Sequence, residues 1–83
     1  MVLIIRPDVL PQLAALPKRD RERLLDSLEM VAAEPNRRFS FVSELVGQPG
    51  VWRLRNGNWR VVFRRRDVDV VVDRVGNRKE VYR

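Results

Sequence analysis

An Asn56-Gly57 pair between two runs of alternating apolar residues is the feature that most constrains how this chain can fold. Asn-Gly is typical of two-residue β-hairpin turns, because a type I′ turn needs a positive φ at both central residues. The flanking runs then form antiparallel strands, and a valine-rich third strand follows a second turn expected at Arg66-Asp67. Side chains alternate between the faces of a strand, so one face would be apolar and carry Trp52, Leu54, Trp59, Val61, Phe63, Val68, Val70 and Val72.

The opposite face of the predicted sheet concentrates arginines and is a candidate anion-binding surface: it carries Arg53, Arg55, Arg60 and Arg64. With two-residue turns at both positions, Arg53 lies opposite Arg60, Arg60 also faces Asp73, and Arg64 faces Asp69. Like charges placed opposite each other destabilise a sheet, so the Arg53–Arg60 pair needs either Asp73 or an external anion. The alternative is a solvated face on which Arg60–Asp73 and Arg64–Asp69 form weak ion pairs of about 0.5 kcal/mol each.

The first half of the chain predicts one strand and a helical hairpin. Residues 2–5 are an apolar run consistent with a first, buried strand. A first short helix begins near residue 7 or residue 10 and ends at Pro17, because proline interrupts helical hydrogen bonding. A second helix ends at Pro35 and carries an apolar stripe formed by Leu24, Leu25, Leu28, Val31 and Ala32. Residues 36–50 are interpreted as a loop, anchored by Phe39, Phe41 and Leu45.

Length and composition indicate one small cytoplasmic domain. The 83 residues are interpreted as a single unit, 1–83, of a size that buries roughly 60% of its unfolded surface. No apolar run approaches the ~20 residues of a membrane span, and residues 2–5 are too short for a signal-peptide core. A chain without cysteine suits a reducing compartment, so we expect a cytoplasmic location and no membrane partner.

The charged residues favour an anionic partner and exclude several catalytic chemistries. The chain has 17 basic and 11 acidic residues, a net charge of +6, and lysine only at Lys18 and Lys79. Arginine binds phosphate and carboxylate through its planar fork. The absence of histidine and cysteine excludes histidine proton shuttles, serine–histidine triads and thiolate metal sites. Asp69 and Asp73 would lie roughly 13 Å apart on one strand, too far to share a metal ion, so no metal or other cofactor is expected.

A series of short motifs resembles the RelE/ParE superfamily of type II toxin-antitoxin toxins. Two short helices are followed by W-R-L-R, N-W-R-V-V-F, a valine-rich strand and V-G-N-R-K-E-V-Y-R, in order over nearly the whole chain. The resemblance implies an α+β fold of the microbial RNase type, in which an N-terminal strand and a two-helix hairpin pack on a four-stranded antiparallel sheet. It also implies a cognate antitoxin that wraps and neutralises the toxin.

The resemblance also implies an activity and a set of site residues. Toxins of the RelE branch cleave mRNA in the ribosomal A site without a metal, by attack of the 2′-hydroxyl on the adjacent phosphate. Arg53, Arg60 and Arg78 would then hold the scissile phosphate, with Arg55 and Arg64 as further binding residues on the same face. Tyr82 would stack on a base or transfer a proton. The positions that match the catalytic residues of this branch are Arg55, Arg60, Arg78 and Tyr82.

One departure from the superfamily pattern leaves three functions open. The second strand carries Arg53 and Arg55 where well-understood RelE toxins carry lysine, and arginine does not deprotonate in proteins. Arg55 is therefore a poor proton acceptor, and Tyr82, the ribosome or a water would take that role. The favoured function is a ribosome-dependent mRNA endoribonuclease. The alternatives are a ParE-like inhibitor of DNA gyrase and a non-catalytic basic module that binds nucleic acid or an acidic peptide.

Overall fold

Within residues 2–34 and 36–79, which the computed structural model describes, the chain forms one strand, two α-helices and four further strands. A 3₁₀ turn at Pro7–Val9 leads into the first helix. No helix in these two ranges is long and apolar enough to cross a bilayer. The elements are β1 (Leu3–Ile5), α1 (Leu10–Ala14), α2 (Lys18–Ala33), β2 (Val42–Glu44), β3 (Val51–Asn56), β4 (Trp59–Arg66) and β5 (Asp69–Asn77).

The strands of this described region form one mixed sheet in the order β1-β5-β4-β3-β2. Strands β2 to β5 pair antiparallel, and β1 pairs with β5 in parallel at one edge. The α+β class is therefore confirmed, while the predicted four-stranded sheet is extended to five strands because β1 joins it. That edge position also leaves β1 half-buried instead of buried.

Strand β2 corrects the prediction of a continuous loop over residues 36–50. Val42 pairs with Leu54 and Ser43 with Arg53, which adds an edge strand beside β3. A three-residue strand is too short to show an alternating pattern in the sequence, so its existence depends on the partner strand. The anchoring role of Phe39 is confirmed, because its side chain is buried in the core.

The helices cover one face of the sheet and bury the predicted apolar stripes. Leu24, Leu28 and Val31 of α2 are fully buried, as is Phe63 of β4. Both tryptophans are partly buried against this core, as the predicted apolar face requires. Val68 is the exception: the residue is 49% exposed, because it lies in the turn between β4 and β5 and not in a strand.

The hairpin turn between β3 and β4 lies one residue later than predicted. Asn56, predicted to lie in the turn, instead pairs with Trp59, and the turn residues are Gly57 and Asn58, with Gly57 at φ +60°. The predicted Arg53–Arg60 opposition is therefore wrong, and Arg60 lies opposite Arg55. Since the register differs by two residues, every side chain keeps its predicted face.

The β4–β5 pairing also differs from the prediction because the turn moves and β5 contains a bulge. The turn residues are Asp67 and Val68, with Asp67 at φ +55°. Val62 pairs with Arg74, and Phe63 pairs with Val72. Asp73 is therefore an extra residue on β5. The predicted oppositions Arg60–Asp73 and Arg64–Asp69 are wrong, and the observed pairs are Arg60–Gly76, Arg64–Val71 and Arg66–Asp69.

Candidate functional site

The sheet face away from the helices carries most of the predicted site residues. Leu54 and Val61 point into the core, so alternate positions on β3 and β4 lie on the opposite face. Counting by two from Val72 would put Arg74 on the core side, but the bulge at Asp73 moves it to the other face, where it pairs with Val62. We call this surface the arginine face, and it carries Arg53, Arg55, Arg60, Arg64 and Arg74.

Arg55 and Arg60 are directly opposite each other on the arginine face. Cβ atoms of such a pair lie about 4.5–5.5 Å apart, so the two positive charges repel. Arg53 lies diagonally across from Arg60, because it pairs with Val62. Across residues 2–34 and 36–79, no salt bridge joins any of these three arginines to a carboxylate. Their positive charge is available to an anionic ligand.

The Arg60 guanidinium is held against the β3–β4 turn. Its Nη1 donates to the carbonyl oxygens of Gly57, at 2.7 Å, and Trp59, at 2.9 Å. These bonds fix the half-buried side chain at the turn end of the arginine face. Nε and Nη2 are left to donate to a ligand, since a guanidinium carries five N–H groups.

Arg53 is oriented by a residue that sequence reasoning did not assign to the site. Its Nη2 donates to Ser43 Oγ at 3.2 Å, across the β2–β3 pair. Its Nε is buried and makes no hydrogen bond within the described part of the chain. An unsatisfied buried donor destabilises a fold, so this N–H lowers the stability of the sheet at the site. Ser43 was missed because β2 is not visible in the sequence pattern.

Arg64 is on the predicted face but is already paired. Its Nε donates to Asp73 Oδ2 at 2.5 Å and its Nη2 to Asp73 Oδ1 at 3.0 Å, a bidentate arrangement. Arg6 Nη1 reaches the same Oδ1 at 3.4 Å. The bulge brings Asp73 to Arg64 instead of to the predicted Arg60. Asp69, the partner predicted for Arg64, accepts from the Val2 backbone N–H at 3.0 Å.

This ion-pair cluster shifts the pKa values of its members. Burial by itself raises the pKa of the Asp73 carboxyl, but hydrogen bonds and charge from Arg64 and Arg6 outweigh burial and hold that pKa below its ordinary value. The hydrogen bond and charge of Asp73 in turn raise the pKa of the Arg64 guanidinium. Asp73 is therefore charged in the folded protein over a wider pH range than in the unfolded chain.

We expect Asp73 to make the fold sensitive to acid. Its lowered folded-state pKa means that it stabilises the fold above its unfolded pKa of about 3.9, and that this contribution is lost as pH falls through the folded-state pKa. Asp73→Asn should therefore lose less unfolding free energy than the unmodified chain between about pH 6 and about pH 3. Urea unfolding across this range measures the difference. Asp26→Asn, which changes an exposed carboxylate on α2, should keep the original pH dependence, and identical curves for both variants would contradict the role of Asp73.

Arg78 lies at the same end of the sheet as the Arg55–Arg60 pair. It follows β5, and its backbone N–H donates to the Asn58 carbonyl at 2.9 Å, which ties this segment to the β3–β4 turn. A cleft of about 470 Å³ adjoins it, lined also by Trp59 and Lys79. The predicted site residue Tyr82 lies outside the described residues. In residues 2–34 and 36–79, no group of three acidic side chains is arranged to hold a metal ion.

Comparison with known proteins identifies the family and the fold. Residues 3–82 match the family model of the ParE toxin of type II toxin-antitoxin systems. No curated protein sequence matches the chain. The RelB-RelE antitoxin-toxin complex from Methanococcus jannaschii has a TM-score of 0.80 at 19% identity, covering 95% of this chain and 94% of that chain, a likeness that shows the fold alone.

Two E. coli structures share the fold at higher identity. The isolated RelE toxin has a TM-score of 0.78 at 29% identity and covers 98% of this chain and 89% of its own. The intact RelBE toxin-antitoxin complex has a TM-score of 0.74 at 29% identity, with 92% and 94% covered. With the family match over residues 3–82, the expected RelE/ParE superfamily is confirmed. The chain belongs to the ParE toxin family of type II toxin-antitoxin systems.

Proposed function

We propose that this toxin is a ribosome-dependent mRNA endoribonuclease that works without a metal ion. The observation that carries the proposal is the arrangement of Arg53, Arg55 and Arg60, three guanidinium groups on one sheet face with no carboxylate partner within the described residues. Such an array is suited to a phosphodiester, and the fold shared with RelE toxins supports the same assignment. The target is then in the cytoplasm, where ribosomes translate mRNA.

The proposed reaction is an internal transesterification of RNA. The 2′-oxygen forms a bond to the adjacent phosphorus and gives up its proton, while the bond from phosphorus to the 5′-oxygen breaks and that oxygen takes a proton. Negative charge develops on the phosphoryl oxygens in the transition state. Arg53, Arg60 and Arg78 would donate to those oxygens, and donors fixed before the reaction stabilise such charge most effectively.

Arg55 has an electrostatic role in this proposal. A guanidinium does not accept a proton at neutral pH, so the 2′-hydroxyl proton goes to Tyr82, to a water or to a ribosomal group. Arg55 stands opposite Arg60, and two adjacent positive charges favour the deprotonated form of a nearby hydroxyl. Arg64 is not assigned to the phosphate, because Asp73 binds it in bidentate geometry.

The partner implied by the family is a cognate antitoxin. Structures from Methanococcus jannaschii and E. coli contain this fold in complex with an antitoxin. We propose that the antitoxin of this chain supplies carboxylates to the arginine face, because Arg55 and Arg60 repel each other there. Binding would then both mask the site and stabilise the sheet.

The proposal predicts cleavage that needs both the ribosome and Arg78. Purified toxin is added to a defined translation reaction and the 5′ ends of the mRNA are mapped. Cuts should fall at A-site codons in the complete reaction and disappear without ribosomes. Arg78→Ala should abolish them, whereas Arg19→Ala, an exposed change on α2, should not. Intact mRNA with folded, unmodified toxin would overturn the proposal.

A ParE-like inhibitor of DNA gyrase is the second candidate. The family model that matches is that of ParE toxin, and arginine replaces lysine at both Arg53 and Arg55. A supercoiling assay separates the two functions, because only the gyrase inhibitor blocks supercoiling by purified gyrase. A merely basic binding module would act in neither assay, and its expression without an antitoxin would leave growth unaffected.

A further inference from the structure

A second group of arginines lies on the helix side of the sheet, near the turn between β4 and β5. A cleft of about 570 Å³ there, which we call the Trp52 cleft, is lined by Arg37, Arg38, Arg65, Phe39, Trp52 and Val42. Within the described part of the chain, no carboxylate lines it. The proposed reaction uses none of these residues, so the cleft has no assigned purpose.

Aromatic rings order two of the arginines that line the cleft. The Arg37 guanidinium carbon is 4.9 Å from the centroid of the Phe39 ring, and that of Arg65 is 5.3 Å from the Trp52 ring. A guanidinium at this distance is attracted to the face of the ring. Glu34 Oε2 accepts from Arg37 Nη1 at 2.7 Å and fixes that group further. The Arg37 side chain is nonetheless 59% exposed.

These features fit an unpaired nucleotide. RNA-binding proteins stack unpaired bases on aromatic rings and on guanidinium planes, while nearby cations hold the backbone. In the Trp52 cleft, the exposed Arg37 guanidinium beside the Phe39 ring offers a surface on which a base could stack. Arg38 is exposed and has no ion pair within residues 2–34 and 36–79, so it is available to a phosphate.

The Trp52 cleft is separate from the arginine face. Arg60 and Arg65 are five positions apart on β4, which is roughly 17 Å along a strand, and an odd spacing places them on opposite faces of the sheet. One phosphate cannot contact both places. A ligand in the Trp52 cleft would therefore be a different segment from one bound at the arginine face.

We propose that the Trp52 cleft is a second binding site for single-stranded RNA, which holds an unpaired segment away from the nucleotide that is cleaved. This inference rests on the proposed function for the identity of the ligand. The segment belongs either to the mRNA or to ribosomal RNA, whose chemistry is the same. The role of the cleft is to position the toxin on its target.

Tryptophan fluorescence tests the cleft directly. The chain has 2 tryptophans, so Trp59→Phe leaves Trp52 as the only one. A single-stranded oligonucleotide of about ten nucleotides, within the range of known single-domain sites, should quench Trp52. In that background, Arg37→Ala with Arg38→Ala should weaken binding about tenfold, since base stacking and phosphate contacts are both lost. Arg19→Ala with Arg23→Ala removes the same charge from exposed positions of α2 and should weaken binding less than about twofold.

Several results would overturn the inference. They are an unchanged Trp52 signal, equal weakening by both double variants, or tighter binding of an acidic peptide than of RNA at the cleft. Ribosome pelleting then assigns the source: an effect of the Arg37–Arg38 variant without mRNA indicates ribosomal RNA, and an effect only with mRNA indicates the message. If the Trp52 cleft does not bind RNA but mRNA is still cleaved, the proposed function stands and only this inference is refuted. Binding at the cleft without any cleavage refutes only the nuclease.

Discussion

Arg60→Ala should slow ribosome-dependent mRNA cleavage by about a hundredfold to a thousandfold, the range typical for loss of one donor to a developing oxyanion. Arg60 is fixed by two backbone carbonyls at the β3–β4 turn and lies opposite Arg55. A donor held in place before the reaction loses no free energy to reorganisation when charge develops on the phosphate. Single-turnover cleavage on ribosomes programmed with a defined mRNA measures the rate.

Arg66→Ala is the matched control for Arg60→Ala. Arg66 is an exposed arginine of the same strand, at the far end of β4 next to Asp69, so the variant loses the same charge. Its cleavage rate should stay within about threefold of the unmodified chain, as the screening of distant charges implies. Equal losses in both variants would show that overall charge, and not the position of Arg60, governs cleavage.

The fold of Arg60→Ala must be checked, because the side chain also bonds the turn. Each lost hydrogen bond to a carbonyl is worth about 1 kcal/mol, so a modest loss of unfolding free energy is expected. Arg60→Lys keeps the charge without the planar fork and should retain part of the activity. If Arg60→Ala is inactive but has the same unfolding midpoint in urea as Arg60→Lys, the loss of cleavage activity comes from the missing donor and not from unfolding.

Alternation and helical spacing were sufficient to predict which faces of α2, β3 and β4 are buried. The α2 stripe of Leu24, Leu28 and Val31 is fully buried, because those residues share one side of a helix. The arginine face was predicted equally well, although the register was wrong. A shift by two residues conserves the faces of a strand, so an error in the turn position leaves the surface chemistry intact while it changes the partner of every residue.

The partners across β4 and β5 were not predictable, because they depend on the position of the turn and on one extra residue in β5. The bulge at Asp73 gives the carboxylate to Arg64 and Arg6 and moves Arg74 to the arginine face. Nothing in the run D-V-V-V-D-R-V marks a bulge, since valine suits every strand position. The consequence for function is large: Asp73 pairs with Arg64, which the sequence had grouped with the binding arginines, while Arg53, Arg55 and Arg60 keep no carboxylate partner within the described residues.

Phe63→Ala is expected to destabilise the fold strongly. Phe63 is fully buried at the centre of the sheet, paired with Trp52 on one side and Val72 on the other. Truncating a buried phenylalanine typically costs about 3–5 kcal/mol, whereas a chain of this size has a total stability of roughly 4–12 kcal/mol. Urea unfolding should therefore show a large fall in the midpoint.

Val68→Ala makes the complementary test, because the apolar pattern puts Val68 and Phe63 on the same face. The structure instead places Val68 in the β4–β5 turn, where about half of the residue is exposed. Its truncation should change the unfolding free energy by less than about 0.5 kcal/mol, as for most surface substitutions. A cost of several kcal/mol would mean that β5 begins before Asp69 and that the pattern, not the observed turn, describes the hairpin. In that register Asp73 would face Arg60, and one of the three unpaired arginines on which the proposed chemistry depends would have a carboxylate partner.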